Sequence, residues 1–88
     1  MGVRINRPPD ETAGRIREAI ESAIEGSRVE AQGLGGHFEI RVVSPVFAGK
    51  STLQRQRLVL GAIAHLMKGD SAPVHAVDRI EAVAEDEG

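Results

Sequence analysis

Three histidines are the only side chains in this 88-residue chain that could bind a transition metal through nitrogen, and the chain contains no cysteine. His37 and His75 each stand near the predicted start of a strand, whereas His65 lies beside apolar neighbours in a predicted helix. Neutral imidazole is a common metal ligand, so two imidazoles at element ends could form an incomplete site that a partner completes. A lone histidine is more often structural. From the residues alone, both interpretations of His37 and His75 stay open.

Other kinds of site are excluded by composition. Without cysteine, the chain has no disulfide, no thiol nucleophile and no cysteine-based zinc site. A domain of this size is also too small to favour a deep catalytic cleft, and no nucleophile and base stand out as a pair. The longest apolar run, from Leu58 to Ala64, falls far short of the roughly 18 residues of a membrane span, and the N-terminal residues lack the apolar h-region expected of a signal peptide. We therefore expect a non-enzymatic, cytoplasmic binding protein with no membrane contact.

The segment Ala48-Gly49-Lys50-Ser51 is similar to the end of a phosphate-binding P-loop. That loop also needs a glycine five residues before the Gly-Lys pair, where this chain has Ser44. A nucleotide site is therefore not expected. The glycines between 33 and 36 fail as a dinucleotide fingerprint as well, because no helix follows them, and they indicate a hairpin turn.

Charge is distributed unevenly along the chain. From Ile40 to Gly69 there are five basic residues and no acidic ones, while the remaining positions hold six basic and 13 acidic residues. The middle of the chain is thus a candidate anion-facing surface, with Lys50, Arg55 and Arg57 as candidate phosphate contacts. The basic excess is smaller than a dedicated DNA-binding domain would carry.

Hydrophobic periodicity predicts one domain with the element order helix, strand, strand, helix, strand. Residues 1–9 are expected to form a flexible arm, residues 10–83 the domain, and residues 84–88 an acidic, solvated tail. A break in alternation at Asp78 suggests a bulge or an early end of the last strand. The predicted bounds are Asp10 to Glu25, Arg28 to Gln32, His37 to Val43, Ser51 to Gly69, and Val74 to Val77 with a resumption from Ile80 to Val83.

The pattern also predicts which faces are buried. Alternation in the second strand places Phe38, Ile40 and Val42 on one face, which we expect to be the inner one. Helices packed on that face would give a two-layer α+β domain. The buried stripe of the second helix is expected to comprise Leu53, Val59, Leu60, Ile63, Leu66 and Met67.

Four short blocks of the sequence form a recognisable combination. They are Gly36-His37-Phe38-Glu39-Ile40 with Val42-Val43-Ser44, then Phe47-Ala48-Gly49-Lys50-Ser51, then Leu53-Gln54-Arg55-Gln56-Arg57-Leu58-Val59, and finally Val74-His75-Ala76-Val77. Together these blocks resemble the BolA family, with order and spacing intact from about Thr12 to Val77. The resemblance implies a fold like a class II KH domain, in which helices cover one side of a three-stranded mixed sheet.

This resemblance also implies a partner and a cofactor. BolA-like proteins pair with monothiol glutaredoxins and, with glutathione, share a two-iron two-sulfur cluster to which the BolA partner contributes a histidine. That histidine corresponds to His75. In many members a second ligand lies in the loop between the first two strands, but here that loop holds neither cysteine nor histidine, as in the short-loop bacterial branch. His37 is the nearest substitute, and the isolated chain is expected to hold no cluster.

Two functional hypotheses of different classes follow, and a third is kept. The first is a non-enzymatic glutaredoxin partner in iron–sulfur trafficking or in redox or iron sensing. The alternative is a nucleic-acid-binding transcriptional regulator that contacts phosphates through Lys50, Arg55 and Arg57, although stacking aromatics are missing. The third is a structural adaptor without metal.

Overall fold

The computed structural model describes residues 11–85 and has the predicted order of helices and strands. The predicted arm at residues 1–9 and the predicted helix start at Asp10 lie outside the described residues. Two short 3₁₀ turns, Pro45–Phe47 and Ala64–Leu66, flank the second helix. The main elements are α1 (Glu11–Ala23), β1 (Arg28–Leu34), β2 (His37–Val43), α2 (Thr52–Ala62) and β3 (Ala76–Val83).

The three strands form one mixed sheet in the order β1-β2-β3. Strand β1 pairs with β2 antiparallel, and β3 pairs with β2 parallel after the crossover through α2. Phe38, Ile40 and Val42 are almost fully buried against the helices, which confirms the predicted inner face of β2. The protein is therefore a two-layer α+β domain. Its core also contains Ile16, Ile20 and Ile24 from the α1 region, Phe47, Val59, Ile63, Leu66 and Val74.

The hairpin turn is shorter than expected. Strand β1 continues through Leu34, and only Gly35 and Gly36 form the turn, with φ of +65° and +85°. Two-residue turns with positive φ at both positions match the twist of paired strands, and glycine adopts that conformation without strain. Gly33 has a different role, because a Cβ there would collide with the His37 carbonyl and with the Phe38 Cα 2.8 Å away.

Helix α2 also ends earlier than its sequence pattern predicts. It ends at Ala62, and a tighter 3₁₀ turn brings Leu66 into the core. The predicted burial of Leu53 and Leu60 is wrong, since these side chains are 55% and 37% exposed. Each residue turns a helix by about 100°, so both leucines lie about 100° or more around the helix from Val59, which faces the core. The start of α2 is as predicted: Ser51 and Gln54 form a reciprocal capping box.

Strand β3 begins at Ala76 and carries the bulge that the sequence suggested. Phe38 pairs with Val77 and Glu39 with Arg79, so Asp78 is the extra residue.

The predicted start of the solvated tail at residue 84 is wrong, because the small apolar side chain of Ala84 packs in the core and is 1% exposed. Residues 86–88 lie outside the described part of the chain. Within residues 11–85, no helix is long and apolar enough to cross a bilayer.

Candidate functional site

His75 lies at the entrance to β3, with its backbone fixed on Gly36. The amides of His75 and Ala76 both donate hydrogen bonds to the Gly36 carbonyl, at 2.8 and 3.0 Å. The preceding residue, Val74, is 1% exposed and anchors the segment in the core. The imidazole packs against the Gly36 backbone: a Cβ on Gly36 would lie 2.8 Å from the His75 Cγ. His75 nevertheless remains exposed to solvent. It is therefore an accessible imidazole on a well-fixed backbone.

His37 lies beside this position, as the first residue of β2. It follows Gly36 directly and pairs in register with Ala76, the residue after His75. Its side chain is 59% exposed, and its Nδ1 lies 3.3 Å from Oδ1 of Asp78. The bulge in β3 provides this carboxylate. A carboxylate that accepts a hydrogen bond from Nδ1–H favours the tautomer in which Nε2 is unprotonated and available to a metal. Histidines that bind metals commonly have such a partner.

The sheet thus brings His37 and His75 to the same end of two neighbouring strands. No third potential ligand joins them, since residues 11–85 contain no group of three His, Cys, Asp or Glu side chains placed to hold a metal ion. Two imidazoles without thiolates cannot complete an iron–sulfur site. They fit the role of nitrogen donors to a cluster whose other ligands come from elsewhere, since histidine can replace cysteine on a cluster iron.

The three predicted phosphate contacts differ in their surroundings. Lys50, Gln54, Arg57 and Leu58 line a shallow groove of about 320 Å³, with Arg57 exposed. Arg55 is partly buried, and its guanidinium binds backbone: Nε donates to the Lys50 carbonyl at 3.0 Å and Nη1 to the Ala82 carbonyl at 3.1 Å. Arg55 therefore connects the loop before α2 to β3. Binding of nucleic acid by Lys50, Arg55 and Arg57 stays a prediction.

The histidines and this basic groove lie at opposite ends of β3. His75 precedes Ala76 at the start of the strand, whereas Arg55 contacts Ala82 near its end. At about 3.3 Å per residue, the two positions are about 20 Å apart along the strand. The two candidate activities therefore use separate parts of the surface.

Sequence reasoning did not identify two residues that contact the histidines, namely Asp78 and Gly36. Asp78 carried a signal, the break in alternation, but that break did not indicate which side chain the carboxylate would contact. Gly36 was identified only as part of a turn. Its contact with the His75 ring depends on the pairing of β2 with β3, which no local pattern reveals.

Comparison with known proteins agrees with this architecture. A family model described as BolA-like protein matches residues 17–87. The structure of a bolA protein homologue from Coxiella burnetii is 37% identical, with a TM-score of 0.71, and the match covers 84% of this chain and 91% of that one. The BolA domain of SufE1 from Arabidopsis thaliana is 29% identical, with a TM-score of 0.73, over 88% of this chain and 95% of that one.

A third similar structure is that of yeast Fra2, which is 34% identical, with a TM-score of 0.63, over 85% of this chain and 81% of that one. Among curated proteins, none matches the sequence significantly. Because the family model covers most of the chain, the chain belongs to the BolA-like family.

Proposed function

We propose that this chain is a non-enzymatic, cytoplasmic partner of a monothiol glutaredoxin, and that the two proteins share a two-iron two-sulfur cluster in iron–sulfur trafficking or in redox or iron sensing. One observation carries the proposal: His75 presents an exposed imidazole from a backbone that two hydrogen bonds fix to Gly36. Membership of the BolA-like family supports the assignment of His75 as the ligand.

Each protein would supply a different kind of ligand. This chain offers no thiolate, so the cysteine of the glutaredoxin and the cysteine of glutathione would bind most of the cluster. When bound, the cluster would supply electron transfer, and a histidine in place of a thiolate would raise its reduction potential. The role of this chain is to hold His75 in place and, through Asp78, to orient His37 as a second donor.

The test is to assemble the cluster with purified glutaredoxin, glutathione, iron and sulfide, and to record visible absorption and circular dichroism. The chain alone should be colourless, and the mixture should give a spectrum that differs from that of the glutaredoxin homodimer. His75→Ala should abolish that difference, while His65→Ala, which removes another exposed imidazole, should preserve it. His37→Ala should weaken it. An unchanged spectrum and cluster lifetime for His75→Ala would disprove the ligand assignment.

Nucleic-acid binding is the second candidate, and the shared groove of Lys50 and Arg57 favours it. No acidic residue lies between Ile40 and Gly69 to repel phosphate. If these residues contact duplex DNA, affinity should fall with salt, with a log–log slope of about 0.9 for each neutralised phosphate. A Lys50→Ala and Arg57→Ala double variant should reduce that slope. A matched double alanine variant of Arg17 and Arg28, which are exposed and lie outside this segment, should not reduce the slope. Equal slopes for the two double variants would remove the groove from consideration.

A further inference from the structure

Leu34 is the most exposed large apolar side chain among residues 11–85. It is 79% exposed, compared with 55% for Leu53. As the last residue of β1, it pairs with His37 across the hairpin, and the next residues are Gly35 and Gly36. An isolated exposed leucine is ordinary on a protein surface. This one is distinctive because it pairs with His37 and stands two residues before Gly36, whose backbone the His75 ring contacts.

The hairpin holds Leu34 firmly and leaves it accessible. The turn has the positive φ values of a tight two-residue connection, and Gly33 lets the strands approach closely beside it. A Cβ on Gly35 would have no heavy atom within 4 Å, so space is open next to the leucine. Because the turn fixes the backbone next to Leu34, a partner that covers this residue orders its side chain but need not order the chain around it.

We propose that Leu34 is an apolar anchor of the heterodimer, buried against the monothiol glutaredoxin when the two proteins meet at the end of the sheet that carries His37 and His75. This inference rests on the proposed function. A partner that completes a cluster on His75 must approach this end of the sheet, because Gly36, which contacts the His75 ring, lies two residues from Leu34. A few well-buried side chains near the centre of an interface carry most of its binding energy. The ligands of an iron–sulfur cluster instead affect its reduction potential. Leu34 therefore controls how tightly the proteins associate, and His75 controls what cluster they hold.

The experiment is a titration of cluster-loaded glutaredoxin homodimer with this chain, followed by visible circular dichroism. Leu34→Ser should shift the midpoint to about 10-fold higher concentration, in the range typical of an anchor residue, and the spectrum at saturation should match the parent. Leu34→Met, which keeps the apolar volume, should restore the midpoint. Leu53→Ser, at the other well-exposed leucine, should leave it unchanged. His75→Ala should change the saturated spectrum instead.

Three outcomes would overturn the inference. The first is an unchanged midpoint for Leu34→Ser, and the second is an equal shift for Leu53→Ser. The third is self-association of the parent chain in sedimentation that Leu34→Ser removes, which would make a second copy of this chain the occupant. If the parent does not form a heterodimer with glutaredoxin at all, the proposed function itself fails. That result is distinguishable from failure of the anchor, in which the heterodimer forms and Leu34 is irrelevant.

Discussion

The imidazole of His75 occupies the space that a side chain at residue 36 would need. An added Cβ on Gly36 would lie 2.8 Å from Cγ and 3.0 Å from Cδ2 of the ring. Gly36 also has a φ of +85°, which disfavours other residues. The glycine therefore serves both the hairpin turn and the placement of the candidate ligand.

The first prediction separates these two roles of Gly36. Gly35→Ala introduces only the strain of positive φ, since nothing lies near its Cβ, and should cost about 1 kcal/mol of unfolding free energy. Gly36→Ala should cost more and should also displace the His75 ring. Urea denaturation and the His75 ring resonances measure the two effects. If both variants lose the same free energy of unfolding and leave the His75 resonances unchanged, the position of the His75 ring does not depend on Gly36.

Arg55 provides the second prediction. Its guanidinium donates to two backbone carbonyls on different segments, those of Lys50 and Ala82, and a lysine cannot reproduce that fork. Arg55→Lys should lower the free energy of unfolding by about 1 to 3 kcal/mol. Arg57→Lys, on the exposed side of α2, should change it by less than about 0.5 kcal/mol. Equal stability of the two variants in chemical denaturation would contradict the structural role of Arg55.

The third prediction concerns Ser44, the one polar residue among residues 11–85 that is buried as a whole. Its hydroxyl donates to the Glu25 carbonyl at 2.8 Å and accepts from the Val46 amide at 3.1 Å, joining the segment after α1 to the 3₁₀ turn. Ser44→Ala leaves both backbone groups without this partner and should cost about 1 to 3 kcal/mol. The exposed Ser22→Ala should cost less than about 0.5 kcal/mol. Thermal or chemical unfolding that shows no difference would refute this role.

The fourth prediction tests which apolar side chains form the core. Ile40 is 2% exposed at the centre of the sheet, so Ile40→Ala should cost about 2 to 5 kcal/mol. The sequence pattern places Leu53 in the buried stripe, but the structure exposes it. Leu53→Ala should therefore change the free energy of unfolding by less than about 0.5 kcal/mol. A loss below half a kcal/mol for Ile40→Ala would mean that the faces of β2 are reversed.

The features predictable from the sequence are those that short-range patterns encode. Alternation in β2 identified the buried face containing Phe38, and the Ser51 capping box identified the start of α2. Hydrophobicity alone did not predict the exposure of Leu60, because that depends on its angle around the helix relative to Val59. The contact between Gly36 and His75 requires the pairing of two strands that are distant in sequence, which no local pattern reveals.

The central claim is that His75 binds a cluster iron, and nitrogen ligation can be measured directly. The chain is labelled with ¹⁵N in histidine only, combined with unlabelled glutaredoxin and glutathione, and the reduced cluster is examined by pulsed electron paramagnetic resonance. We expect a strong ¹⁵N hyperfine coupling that His65→Ala leaves unchanged. His75→Ala should remove the coupling of His75 and leave at most the coupling of His37. Absence of ¹⁵N coupling in the parent complex, or its persistence unchanged in His75→Ala, would contradict the claim.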